Sequence, residues 1–223
     1  MGPQQWEPSQ ADAEIKINSP DATTLVVLSR VFGALTSQAP HLQFNITNLS
    51  MGRLDRLTKG EFYIAIDFFE QVPSNFFRQP LLTDRMVCII GDKHPIAQSD
   101  FDIGKFFSWL HVRLATASTV LLENHLAKRD IYPKYILTVP NFVVAASTLT
   151  GTNWMVMLPH NLGRYAQKLF QIKILELPFE ITKILLDMVW HERLDRDPCQ
   201  AWFRGQVMTI CQDSFPSLQQ THQ

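Results

Sequence analysis

The sequence has no surplus of either charge: 20 Lys and Arg stand against 21 Asp and Glu, a formal net charge of -1. Proteins that hold nucleic acid through its phosphates concentrate basic residues, so this chain is not expected to grip DNA by itself. Cysteine is scarce. Cys88, Cys199 and Cys211 form no Cys-x-x-Cys pair, which removes the usual zinc and thiol-exchange patterns and fits a reducing cytoplasm. The nine glycines are scattered, without a nucleophile elbow, a phosphate loop or a dinucleotide fingerprint. Seven histidines are equally dispersed, and His191 beside Glu192 is too common a dipeptide to mean zinc. No metal or cofactor is expected. Apolar runs such as "ILTVP" and "FVVAA" are cut at Pro140 and Asn141, far short of a bilayer span, so no membrane partner is expected either. The opening "MGPQQWEPSQADA" lacks the charged and apolar regions of a signal peptide and reads as a linker.

What the sequence does contain is apolar material spread along its whole length, 46% of 223 residues, enough to bury the core of one large domain or two small ones. From Glu14 the pattern reads strand, helix, strand, helix, strand. "EIKIN" and "LQFNI" alternate, and "EFYIAI" is apolar on both faces, as in a sheet covered by helices. Ser19, Pro20 and Asp21 supply start chemistry for a helix from about Ala22 to Gln38. Asn48 or Ser50 can open a short second helix, which Gly60 stops. The same order returns later: a strand near 110–115, a helix near 119–128, a strand near 134–139 and a helix near 141–150. The strands "NWMVML", "IKILEL" and "KILLDMVWH" follow, and Asp197 with Pro198 caps a last helix.

Two such α/β units suggest two lobes with a ligand cleft, fed by the carboxyl ends of strands and the starts of helices. Four connectors would face it: "NSPDATT", "DFFEQ", "TAST" and "PNF". In "TAST", Thr116, Ser118 and Thr119 can be plain helix caps or can help hold an anion at a helix N-terminus, and both readings stand. Neither Ser118 nor Thr119 has Glu or Gln three residues later, so no capping box engages them. Asp67 could act as a general base, but a residue at the end of an apolar strand more often caps the next turn. Cys88, inside "MVCIIG", reads as core. The first helix carries two apolar stripes: Leu25, Leu28, Phe32 and Leu35, and then Val27, Val31 and Ala34. One can face the sheet; the other is covered either within the same domain or by another subunit.

Three segments together resemble the effector-binding domain of LysR-type transcriptional regulators: "LDRLTKGEFYIAIDF", "LLTDRMVCIIGDKHPIA" and "VWHERLDRDPCQAWFRG". Leu57, Gly60 and Asp67 match the family's Leu-x-x-Gly before an apolar strand that ends in Asp, and His94-Pro95 matches its His-Pro after the fifth strand. Trp190, His191, Arg193, Asp197, Pro198, Trp202 and Arg204 resemble the late segment of the subgroup containing the nodulation and LeuO-like regulators.

The resemblance, from about Glu14 to Asp213, implies an α/β fold of two Rossmann-like lobes similar to type 2 periplasmic binding proteins, joined by two crossover segments. Lobe I would be residues 14–86 with 187–213 and lobe II residues 87–186, between a 1–13 linker and a 214–223 tail. It also implies a small, polar or anionic effector held at the four turns: Ser19, Asp21 and Thr23; Asp67 and Phe68; Thr116, Ser118 and Thr119; Asn141 and Phe142. Bulky aromatics in "FFEQVPSNFF" would narrow or fill part of that site. Dimers would pair the first helices of the two lobes through Val27, Val31, Ala34 and Leu122, with tetramers in a full-length protein that reaches DNA through an N-terminal winged helix-turn-helix. A stand-alone solute-binding protein of periplasmic type is the alternative, and a two-lobed deaminase-like enzyme a distant third.

Overall fold

Alternating and doubly apolar segments become strands where one or both faces are covered, and that is how Ile15 and Ile17 come to be fully buried on the first strand. The computed structural model describes residues 6–48, 52–181 and 183–215. Contacts divide the chain into two units, Met1–Thr83 with Leu185–Gln223, and Asp84–Ile184.

In the first unit the chain runs through β1 (Glu14–Asn18), a helix made of α1 (Asp21–Thr23), a π turn (Thr24–Leu28) and α2 (Ser29–Leu35), then β2 (Gln43–Thr47), α3 (Arg53–Lys59), β3 (Ile64–Phe68) and β4 (Phe76–Asp84). The second unit follows as β5 (Met86–Gly91), α4 (Ile103–Ser108), β6 (Leu110–Leu114), α5 (Ala117–Ala127), β7 (Tyr135–Val139), α6 (Phe142–Thr148), β8 (Trp154–Pro159), α7 (His160–Ala166) and β9 (Ile172–Glu176). The chain then returns to the first unit along β10 (Ile184–His191) and ends in α8 (Pro198–Ser214). The sheets have matching orders, β2-β1-β3-β10-β4 and β7-β6-β8-β5-β9. Each places a parallel trio beside antiparallel strands: β1 lies parallel to β2 and β3 while β10 is antiparallel to β3, and β6 lies parallel to β7 and β8 while β5 is antiparallel to β8 and β9. These are two α/β units built on the same plan.

Local chemistry accounts for the boundaries. Gly60 ends α3 in the left-handed conformation, φ 77°, with its N-H on the carbonyls of Arg56 and Leu57. Of the two residues proposed to open that helix, Ser50 lies outside the described residues; the observed N-cap is Gly52, also left-handed. Asp197 caps α8 by accepting the Gln200 N-H at 2.9 Å. That helix buries Cys199, Phe203, Val207 and Cys211 at a spacing of four, one stripe against the sheet side.

The proposed dimer stripe is corrected here. Val27 and Val31 are 1% and 0% exposed in the single chain, inside the first unit, where the first helix is sandwiched against α8. The π turn explains why helical spacing misleads: the wide turn puts Val26, Val27 and Leu28 on the buried side in succession, so the two stripes are no longer inside and outside. Leu122 is also core, packed with Phe106, Leu126 and Ile131 in the second unit. Only Ala34 of the four is exposed. Aromatics of "FFEQVPSNFF" fill the first unit itself: Phe69 and Phe76 join Leu57, Phe62 and Val189 in one cluster. Phe77, by contrast, is exposed beside Trp190.

Candidate functional site

The turn after β6 is built around Thr116. Its backbone is extended and its hydroxyl accepts the Thr119 N-H at 3.3 Å, so Thr116 is the N-cap and the helix starts at Ala117, two residues earlier than the sequence suggests. The same oxygen lies 3.0 Å from Ser118 Oγ and 2.9 Å from Thr119 Oγ1. The hydroxyls of Ser118 and Thr119 are therefore engaged, not free. Three hydroxyl protons serve two contacts within the cluster, which leaves one proton to give elsewhere. The cap also leaves the N-H groups of Ala117 and Ser118 outside the helix's own ladder. Donors without an internal acceptor, at the positive end of an 11-residue helix, favour an anion or an acceptor oxygen.

The other turns differ in what they can offer. After β1, Ser19 is buried; its N-H reaches Thr47 O at 2.9 Å, and its hydroxyl donates to Pro20 O and accepts from Thr24 Oγ1, both at 3.3 Å. The helix beyond it starts from Pro20 with no side-chain cap, Asp21 lies in its first turn, and Thr23 is buried. After β7, Asn141 caps α6 by accepting the Val144 N-H at 3.0 Å. Phe142 is wholly buried with its ring edge-on to Tyr165, so its side chain is core, a correction to its placement among the effector contacts. Val143 and Val144, overlooked in the sequence, are exposed on that helix at 43% and 37%. Their signal was a pair of branched apolar residues right after a capping Asn.

The end of β3 holds an ionic network that the sequence does not disclose. Asp67 is buried, pairs with Arg53 of α3 and accepts its neighbour's N-H, from Phe68, at 2.8 Å. Arg53 also donates to Phe68 O at 2.8 Å and lies over the Phe69 ring. Directly across the ladder, opposite Asp67, stands Asp187 of β10, fully buried and bonded to Arg78 of β4 at 2.6 Å. Arg78 donates to Phe69 O as well, at 3.1 Å. Burial pushes both carboxyls above the usual carboxylate range, against the pull of Arg53 on one and Arg78 on the other. With both oxygens engaged inside the unit, Asp67 is occupied by structure. A lone Asp in "LLDMVW" was the available signal for its partner.

The remaining singled-out residues are structural. Cys88 is buried and its thiol is pushed up by desolvation, the reverse of an activated nucleophile. His94 caps the turn that follows it, its Nδ1 accepting the Ile96 N-H at 3.1 Å. In the late motif, Trp190 donates to Asp195 at 3.0 Å, and Arg204 stacks on Trp190 while donating to Leu194 O and Asp195 O at 3.1 and 2.6 Å. The described residues include no helix long and apolar enough to cross a membrane.

Known proteins share this arrangement. SyrM of Rhizobium meliloti (strain 1021), an HTH-type transcriptional regulator, is 24% identical over 203 residues, which are 90% of this chain and 62% of SyrM. The chain thus spans less than two thirds of that relative's length. A transcriptional regulator from Vibrio parahaemolyticus superposes with a TM-score of 0.84 at 23% identity, covering 93% of this chain and 97% of that one. The effector-binding domain of QuiR, solved with shikimate, superposes at 0.74 with 14% identity over 92% of this chain and 100% of that one. The two repeated α/β units are the fold of these regulatory domains, and the model of the LysR substrate binding domain matches residues 8–212. The chain belongs to the family of LysR substrate binding domains.

Proposed function

We propose that this chain is the sensing and oligomerisation part of a cytoplasmic LysR-type transcription regulator, that it takes a small polar or anionic effector, and that it catalyses no reaction. Each unit offers the turns at the carboxyl ends of its parallel strands, and the Thr116 turn carries the reading. It offers a spare hydroxyl proton and two unladdered N-H groups at a helix start, where an acceptor oxygen or an anion is favoured. Asn141 in the same unit adds a polar contact, while Val143 and Val144 suit an apolar ring edge; Ser19, Asp21 and Thr23 offer a separate set of polar groups within the first unit. Phe68, half-buried and with its own carbonyl held by Arg53, belongs with the first-unit set. Asp67 and the Phe142 side chain are left out because each is consumed within its unit.

Effector binding then acts by population shift: the ligand favours one arrangement of a dimer or tetramer, and that arrangement sets the spacing of helix-turn-helix modules on DNA. In support, the relative's name is HTH-type and it extends beyond the part this chain matches. The subunit contact would use exposed positions such as Ala34 of α2 and Val120 of α5, which is 46% exposed, in place of the buried valines. A thermal-shift titration with shikimate and other small ring carboxylates tests the site. Free ligand at a hundredfold excess over Kd adds about 2.7 kcal/mol, a rise of about 5 to 10 °C for a chain of this size. Ser118→Ala with Thr119→Val should cut the rise to about half or less at the same ligand concentration, since a lost charge-assisted bond costs about 1.5 to 3 kcal/mol, tenfold to hundredfold in affinity. A double variant that melts earlier yet responds at wild-type concentrations refutes the site.

A further inference from the structure

Asp67 and Asp187 stand opposite each other on adjacent antiparallel strands, so their side chains leave the same face of the sheet, the face covered by α3. Three of their four carboxylate oxygens have donors: Asp67 Oδ2 from Arg53, Asp67 Oδ1 from the Phe68 N-H and Asp187 Oδ2 from Arg78. The fourth, Asp187 Oδ1, has no donor among the described residues, and Asp187 is 0% exposed. Leaving an ionised oxygen in that state is costly, and two like charges on facing positions make it costlier. The charged and titratable groups around the pair are Arg53 from α3, Arg78 from β4 and, farther along β10, His191, whose ring is engaged by Asn75 and Phe76.

We propose that Asp67 and Asp187 form an acid-carboxylate pair holding one buried proton, carried on Asp187 Oδ1 and donated to the Asp67 carboxylate. The proton satisfies the one oxygen without a donor. It also removes the repulsion between facing carboxylates, while each guanidinium keeps an oxygen acceptor. The geometry assigns the roles unequally. Asp67 receives bonds from Arg53, from Phe68 N-H and from the proton, and so acts only as an acceptor. Asp187 accepts from Arg78 with one oxygen and donates with the other. Asp67 is on β3, but Asp187 is on β10 and its partner Arg78 is on β4, the two strands that carry the chain from one unit to the other. It is therefore a proton site at the root of both crossing strands, and it does not rest on the effector reading.

The roles give opposite expectations for two isosteric changes in the 223-residue chain. Asp187→Asn keeps an oxygen for Arg78 and puts an amide donor where the proton sits, so it should fold with wild-type stability. Asp67→Asn puts a donor among donors and should lower the melting point clearly. The infrared spectrum near pH 7 should contain a carboxylic-acid C=O band that Asp187→Asn removes. Stability should follow. A carboxyl whose folded pKa is raised contributes stability below its unfolded pKa that is lost as pH rises through the folded pKa. The unfolding constant should thus rise up to tenfold per pH unit above about pH 4 on this account, and Asp187→Asn should remove that slope. If Asp187→Asn fails to fold, or loses as much stability as Asp67→Asn, or the acid band is absent from the wild type, the shared proton is refuted.

Discussion

Val31 separates an interface residue from a core residue by experiment. It is 0% exposed in the isolated chain and sits on the first helix, which packs against α8. Val31→Ala removes two buried carbon groups; at about 0.8 kcal/mol each the transfer loss is about 1.6 kcal/mol, and the cavity raises it to about 2 to 3 kcal/mol. Val31→Asp adds a polar group with no partner, a further cost of about 1 to 3 kcal/mol, and the carboxyl takes up a proton before it will ionise there. The total, about 3 to 6 kcal/mol, is a large share of the 5 to 15 kcal/mol that typically holds a domain. In urea it moves the unfolding midpoint down by about 1 to 2 M. Sedimentation run beside the urea titration gives the oligomeric state. Leu169→Asp, at a 57% exposed position outside the proposed subunit contact, is the control and should leave the unfolding free energy within about 0.5 kcal/mol of wild type. The core assignment is refuted if Val31→Asp keeps the wild-type midpoint and merely becomes monomeric.

Other substitutions probe the frame around the site. Gly91→Ala would place a Cβ 2.5 Å from the Leu149 carbonyl oxygen, a backbone atom that cannot turn aside, and should cost more than about 2 kcal/mol in chemical denaturation. Gly60→Ala meets only the movable end of Arg193, at 3.0 Å, but keeps φ at +77°, so about 1 kcal/mol is expected; equal losses for the two glycines would contradict this account. Arg204→Met should lower the melting point by removing donors to Leu194 O and Asp195 O together with the stack on Trp190, and tryptophan fluorescence should report the change at Trp190. His111 is buried, and desolvation holds its pKa below 6.5, so its contribution is full above the unfolded pKa and is lost as pH falls through the folded one. Replacing His111 with Phe should flatten the stability profile of the second unit below about pH 6.5, and an unchanged acid slope would assign it to other groups.

How far the sequence could be read depended on whether a signal was local. Strands such as β1 and β8 follow from short apolar patterns, and the stop at Gly60 and the cap at Asp197 follow from single residues whose backbone or side-chain chemistry does one thing well. The first helix resisted for a definite reason. Helical spacing assumes a constant turn, and the π turn at Thr24–Leu28 changes the phase halfway, so spacing alone does not tell whether Val27 and Val31 are covered within the unit or by another subunit. Leu122 failed differently: its helix spreads polar and apolar residues round its axis, so nothing in its spacing distinguishes the face toward Phe106 and Ile131 from the face toward solvent.

The turns show a further limit. That Thr116, Ser118 and Thr119 belong together is visible as a run of hydroxyl residues before a helix, yet which one caps and which proton is left over depends on the extended backbone at Thr116 and on hydroxyl contacts of 2.9 and 3.0 Å. Asp67 and Asp187 are 120 positions apart in the chain, and each alone reads as a turn cap or a stray charge in an apolar strand. Their meeting is a matter of register. A slip of one residue between β3 and β10 would point Asp187 to the opposite face, away from Asp67, and bring Leu186 or Met188 in its place. The carboxyl pair is thus a product of long-range strand pairing, whereas the hydroxyl cluster at Thr116 arises within four residues.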